Sequence, residues 1–283
     1  MLKARYPKFE YSKARAHWAP VHEYASLWNA ASSIPNVVEP YLIKVMRQVA
    51  AKLDPKKDAD LIRDIDTFNK QEGQHFQQHG QYTEMLVREG YTKVPEFEQE
   101  RKDEYVDWLK NRSLKYNLAY CEGFESMSAG GATPWFDPNN HYLDGCDPEA
   151  VNMWRWHIAE EFEHREVCFR AFKALYCRGL INSIVNGYFY RVWAFLVSLK
   201  HISSFQQNIN KYMLEIDRAK MTPEERAESE RREKEVGEDA KRRNRGIFRV
   251  FLPTYNPAHL RKPQGQDEFL RRVEPGGDLA AAT

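Results

Sequence analysis

Cysteine is scarce in this chain. There are four in 283 residues (Cys121, Cys146, Cys168 and Cys177), and no two form a CxxC pair. A disulfide framework or a cysteine-rich metal site is therefore not expected. Glycine and proline are sparse too, at 14 each, and no series of short strands stands between turn signals. An excess of one charge is missing: 42 basic residues face 41 acidic ones, for a formal net charge of +1. Phosphate binding calls for a basic excess or stripe, so nucleic acid is not an expected partner. No window offers the ~18 uncharged apolar residues of a transmembrane segment. The nearest approach, 180–199, is interrupted by Arg191. The first residues, Met1 to Tyr11, hold Lys3, Arg5 and Lys8 but no apolar stretch of the secretory kind. A cytoplasmic protein with reduced thiols is expected. Flavin and nicotinamide fingerprints are absent as well.

Aromatics are plentiful, with 15 Tyr, 15 Phe and 7 Trp, enough for a large core. The rest of the pattern is helical. The segment 17–33 is mixed and aromatic, and is expected to pack across a bundle. One helix is predicted over 38–53. Asp54-Pro55 ends it and starts a second, with Asp as cap and Pro in the first turn, running to Gly90. A third is predicted over 96–129, stopped by Gly130-Gly131. Residues 131–145, rich in Gly, Pro, Asn and Asp, read as a loop. Asp147-Pro148-Glu149 repeats the start signal for a fourth helix reaching Arg178. An apolar helix over 180–214 follows, carrying Tyr188, Phe189, Tyr190, Trp193 and Phe195. It reads as core or homodimer contact, with an apolar substrate or a membrane surface as the less ordinary use. Thr222-Pro223-Glu224-Glu225 is a capping box opening a charged helix over 225–245. The class is all-α. A single helical domain is expected over 1–250, with a partly flexible extension over 251–283 whose Leu-Ala-Ala-Ala-Thr end is mobile.

The chemistry-bearing residues fall on four successive helices. In the fourth, His157, Glu161 and His164 stand at i, i+4 and i+7. That spacing places three metal-capable side chains within a stripe about 60° wide. The second helix supplies Glu72 and His75, an ExxH pair, with His79 one turn on. The third offers Glu122 and Glu125. The first offers Glu39, the only carboxylate between Glu23 and Asp54. Singly, each piece has a blander reading. An ExxH pair is common on solvated helix faces, Glu160, Glu161 and Glu163 could form an acidic face, and Cys168 fits a core. His79 suits a supporting role better than ligation, and Glu125 could as easily bind water or a basic side chain as a metal. Together, two ExxH pairs and two further glutamates are the pattern of bundles that hold two iron or manganese ions. Carboxylates bridge and offset the cations, and imidazoles complete the coordination.

This set resembles the ferritin-like di-iron oxygenases of the p-aminobenzoate N-oxygenase type, with their order Glu, ExxH, Glu, HxxxExxH. More closely, Trp154 through Phe169 is similar to the WxWHxxEExEHxxVxF signature of a bacterial family of predicted metal-dependent hydrolases. The resemblance covers about 27–190, and 253–257 is similar to that family's late Pro-rich segment. It implies a ferritin-like four-helix bundle core with additional C-terminal helices. It also implies a metal set of Glu39, Glu72, His75, Glu122, His157, Glu161 and His164, with Glu122 preferred to Glu125 by the motif alone. Two departures stand out: Pro40 directly after Glu39, expected to put Glu39 at a helix start or kink, and Arg170 where the family suggests an acid. The expected activity is a di-iron oxidoreductase with two Fe ions (or Mn) and O2 as co-substrate, acting on a small apolar or amine-bearing molecule and supplied by an external electron donor. The alternatives are a metal-dependent hydrolase, with Glu160 or Glu125 as base, and a non-catalytic iron-binding protein.

Overall fold

The first helix forms in spite of two prolines. In the computed structural model, which describes residues 2–274 and 277, α1 spans His22–Ala50 with Pro35 and Pro40 inside it. Each internal proline removes a backbone donor and crowds the carbonyl four residues back, at about 3 kcal/mol. Burial outweighs this, because 20 of the 29 residues are buried and a large apolar side chain removed from water contributes about 1.5–3 kcal/mol. The helix predicted over 38–53 thus begins at His22, and Glu39 lies mid-helix rather than at a start.

The chain is 76% helical, with no strand among the described residues. Helix α2, Ala59–Arg88, starts later than Pro55. The Asp54 carboxylate instead accepts from the N–H groups of Lys56 and Lys57 and holds a turn there. The third predicted helix is two: α3, Val94–Asn111, and α4, Leu114–Gly130. Arg112 and Ser113 are extended, and Ser113 Oγ caps α4 by accepting from Tyr116 N–H. A short α5, Ala132–Phe136, lies in the predicted loop. Asp147 caps α6, Pro148–His164, as its start signal implies. The predicted continuation to Arg178 breaks at Arg165 and Glu166, and α7 is Val167–Tyr176.

The apolar helix is also interrupted. It comprises α8, Leu180–Ile184, a π turn over Val185–Tyr190, and α9, Arg191–Arg218. Nothing in α8 is buried, and only Asn186 is buried in the turn. The core reading therefore holds for the buried side of α9, where Trp193 and Leu196 are exposed, and is corrected for 180–190. The capping box at Thr222 forms in full and opens α10, Pro223–Arg243. Gln266–Val273 is α11, packed on α6. The mobile end expected at Leu-Ala-Ala-Ala-Thr falls outside the described residues. Among the described residues, no helix is long and apolar enough to cross a membrane.

Helix α1 packs along α2, while α4 lies against α9, α7 and α6. This sets α1, α2, α4 and α6 around one buried polar interior. The α4–α9 approach depends on Gly123. A Cβ there would meet Ser198 Oγ at 2.5 Å and the Phe195 Cα at 2.9 Å. Backbone cannot step aside as a side-chain tip can, so Gly123→Ala is expected to destabilise the fold by about 1–3 kcal/mol through overpacking. Urea unfolding would show it as a lower midpoint, and an unchanged midpoint would mean that the two helices do not touch here.

Candidate metal centre

The interior holds two groups of metal-capable atoms, each with its members within 4.8 Å of one another. Glu39, His75, His157 and Glu161 form one, and Glu72, Glu125 and His164 the other. All seven side chains are buried. The helical period explains how they converge. The i, i+4, i+7 spacing of α6 turns His157, Glu161 and His164 inward, and the ExxH of α2 does the same for Glu72 and His75. Glu161 joins the groups: its Oε1 is 3.5 Å from His75 Nδ1, 3.5 Å from His157 Nε2 and 3.6 Å from His164 Nε2. His164 Nε2 is also 3.1 Å from Glu72 and 3.3 Å from Glu125.

Glu122 is the one expected residue that the structure leaves outside both groups. Its Oε1 accepts from Ser126 Oγ at 3.0 Å and lies 3.7 Å from Arg191 Nη1. Arg191 is buried in turn under the Tyr255 ring. This pair explains the basic residue in the apolar run: Arg191 offsets a buried glutamate. The Glu122/Glu125 choice rested on motif order alone, and α4 turns Glu125 to the centre and Glu122 towards α9.

Every oxygen of Glu39, Glu72, Glu125 and Glu161 is buried without a hydrogen-bond partner, as are His75 Nδ1 and His164 Nε2. Native proteins rarely leave buried polar atoms in that state, and a bare buried carboxylate is costly. The electrostatics show the strain. Burial and then the neighbouring Glu161 push the Glu39 carboxyl well above its ordinary range. Burial and then Glu39 do the same to Glu72, and burial with Glu161 lifts Glu125 to about 7. Burial also raises Glu161, but His164 and the other imidazoles hold it well below the usual value. Four carboxylates carry the charge that two divalent cations would offset. The donor set, oxygen with imidazole nitrogen, suits zinc, manganese or iron.

Each histidine is steered from behind, as metal-ligating imidazoles usually are. With the group-facing nitrogen unprotonated, His75 Nε2–H donates to Glu160 at 3.1 Å, and Arg5 donates to that carboxylate at 3.0 Å. His164 Nδ1–H donates to Gln71 Oε1 at 3.1 Å. His157 Nδ1–H donates to His79 Nε2 at 2.9 Å, and His79 in turn to Ser32 Oγ at 2.7 Å. Burial, then the charge on His75, takes His79 down to about 3, so it stays neutral. His79 is thus a support, as its position suggested. Arg5, Gln71, Ser32 and the role of Glu160 went unseen in the sequence. Gln71 could have been suspected from its place beside Glu72, but nothing marks Arg5. Arg170, where an acid was expected, pairs with Asp64, and Glu160 supplies the acid behind a histidine instead. Glu160→Gln, which keeps shape but loses charge, should weaken metal binding about 10–100-fold. Competition with a chromophoric chelator measures this, and an unchanged affinity would mean that Glu160 does not steer His75.

A third group, His17, His22 and Asp217, lies near the start of α1 and is partly exposed. Asp217 accepts there from the Tyr91 hydroxyl at 2.9 Å and sits 2.7 Å from His22 Nε2.

The profile of the predicted metal-dependent hydrolase family matches residues 3–260. That span takes in all seven central residues and the supports behind them. No curated protein and no solved structure matches the chain. Nearly the whole sequence is thus accounted for by one family whose description names metal-dependent chemistry, and the chain belongs to the predicted metal-dependent hydrolases.

Proposed function

We propose that this chain is a two-metal hydrolase whose ligands are Glu39, His75, His157 and Glu161 at one position and Glu72, Glu125 and His164 at the other, with Glu161 shared. The observation that carries it is the set of four glutamates whose oxygens are all buried and unpartnered. The four helices holding them form, in this reading, a ferritin-like core. When bound, the metal pair supplies Lewis acidity to polarise a scissile bond and lower the pKa of water. The protein's own residues do the rest. Glu160, Gln71 and His79 fix the three imidazoles. Phe68, packed edge-on against His164, and Trp156, against His75, keep water from the ring faces.

A second reading, oxidation by O2 at an iron pair fed by an external electron donor, is favoured by a different observation. Glu160 is engaged by both Arg5 and His75, and Glu163 by Arg5. Neither is free to take a proton from water, which hydrolysis wants and O2 chemistry does not. A surface cavity of about 250 Å³ beside Phe136, Arg155 and Phe269 touches none of the seven residues. A centre this enclosed suits a small reactant.

One experiment separates the two. Metal-stripped protein is reloaded with Zn(II) or Mn(II) and assayed against ester, amide and phosphoester panels. In parallel it is loaded anaerobically with Fe(II) and mixed with O2. Metal-dependent hydrolysis supports the proposal. Rapid O2 uptake without hydrolysis transfers the assignment to the second reading, and inertness in both arms with metals bound overturns both.

A further inference from the structure

The most exposed large apolar side chains are not scattered. Among the described residues, all but Tyr6 and Val106 belong to two neighbouring stretches: Leu180, Ile181, Ile184, Val185, Phe189, Trp193 and Leu196 in one, Phe248 and Leu252 in the other. Leu180 and Ile181 are 78% and 76% exposed. The stretches are joined. Tyr188 donates its hydroxyl to the Phe251 carbonyl at 3.0 Å, Arg191 donates to the Val250 carbonyl, and Phe195 packs edge-on against Phe251. Single exposed apolar residues are ordinary, but a contiguous patch of this kind marks a docking surface.

Charge says what docks. No Asp or Glu occurs between Glu166 and Glu215, or between Asp239 and Asp267, so both stretches are free of acids. Around the apolar face stand Arg178, Lys200, Arg245 and Arg249, all exposed. Arg112 and Lys115 join them, Lys115 over the Tyr190 ring and Arg112 over Tyr116, which in turn meets Trp193. None of these six forms an ion pair among the described residues. Two acids border the region, Asp54 near Arg178 and Glu104 bonded to His201. A two-fold dimer through this face would set the cationic rim against itself, with carboxylates only at its border to meet it. An anionic lipid surface meets both features at once: acyl chains take the apolar side chains and headgroups take the cations.

We infer that the face formed by α8, the π turn, the start of α9 and the 244–252 segment seats this protein on anionic membranes. It lies on the bilayer and does not cross it, since α8 has only five residues. Aromatic residues at the headgroup level and flanking cations are what such a surface binder needs.

The test uses the full chain and vesicle flotation. Vesicles of phosphatidylcholine alone are compared with vesicles in which about one-third of the lipid is phosphatidylglycerol. Wild type should float with the anionic vesicles only, and less so as salt rises. Leu180→Asn with Ile181→Asn should lose at least about tenfold in partitioning. Arg245→Gln with Arg249→Gln should lose about fivefold per cation. These positions are exposed, and an unchanged circular dichroism spectrum separates lost binding from lost folding. No flotation with either vesicle, or equal flotation by wild type and variants, overturns the inference. So does a dimer that the Leu180/Ile181 variant converts to monomer, which would give the face to a second copy.

Discussion

Glu161→Ala should empty both metal positions, whereas Glu122→Ala should empty neither. One atom joins the two positions. Glu161 Oε1 lies within 3.6 Å of ring nitrogens of all three central histidines, so no other side chain substitutes for it. Removing it leaves three imidazoles and three carboxylates with no group spanning them. Glu122, by contrast, faces Arg191 and Ser126. Its loss strands a buried guanidinium, at about 3–5 kcal/mol of stability, without touching a ligand. Glu125→Ala should lie between the two and lose the ion on the Glu72 and His164 side. Metal content after loading and desalting gives the answer, with unfolding midpoints recorded beside it. If Glu122→Ala loses metal while Glu125→Ala keeps a full complement, the motif order was right and the geometric assignment is wrong.

Stripping the metals should lower Tm by about 15–30 °C near neutral pH. Each site held at a thousandfold excess over its Kd contributes about 4 kcal/mol, and for chains of this size each kcal/mol moves Tm by about 2–4 °C. The gain should also depend on pH. Glu39, Glu72 and Glu125 are raised by burial and by other carboxylates. A carboxyl with a raised folded pKa adds stability below its unfolded pKa, and that contribution is lost as pH rises through the folded pKa. For Glu125 the window is from the ordinary carboxyl range to about 7. Burial opposes the charge on His164, but Glu125 and Glu161 overcome it and hold that ring protonated to about 10. Ligation must remove that proton too, so metal binding releases protons and tightens as pH rises. His157 is held well below its ordinary value, by burial first and then by His75. It is neutral with or without metal, so its own pH dependence cancels in the difference. Reloaded and stripped samples compared at about pH 5.5 and 7.5 should show the larger gain at the higher pH. Equal gains, or a larger gain in acid, would mean that protons and metals do not compete here.

What the sequence by itself determined follows from helical periodicity. The all-α class could be read from long patterns without strand signals. His157, Glu161 and His164 had to share a face, and Glu72 and His75 had to share another, because 3.6 residues make a turn wherever the helix lies. The caps at Asp147 and Thr222 were visible because capping is chemistry between residues a few positions apart. Local signals failed where burial or long-range pairing decided. Pro40 reads as placing Glu39 at a helix start or kink, yet the core carries α1 through both Pro35 and Pro40. The breaks at Arg112-Ser113 and Arg165-Glu166 are two-residue events inside strong helical patterns. Glu122 and Glu125 are both on the inner side of α4, and the register of α4 against α9, fixed by the close approach at Gly123, decides which meets His164. Arg5 reaches Glu160 across 155 positions of sequence. No periodicity records such a contact, because it exists only once the N-terminal arm has been laid across the packed helices.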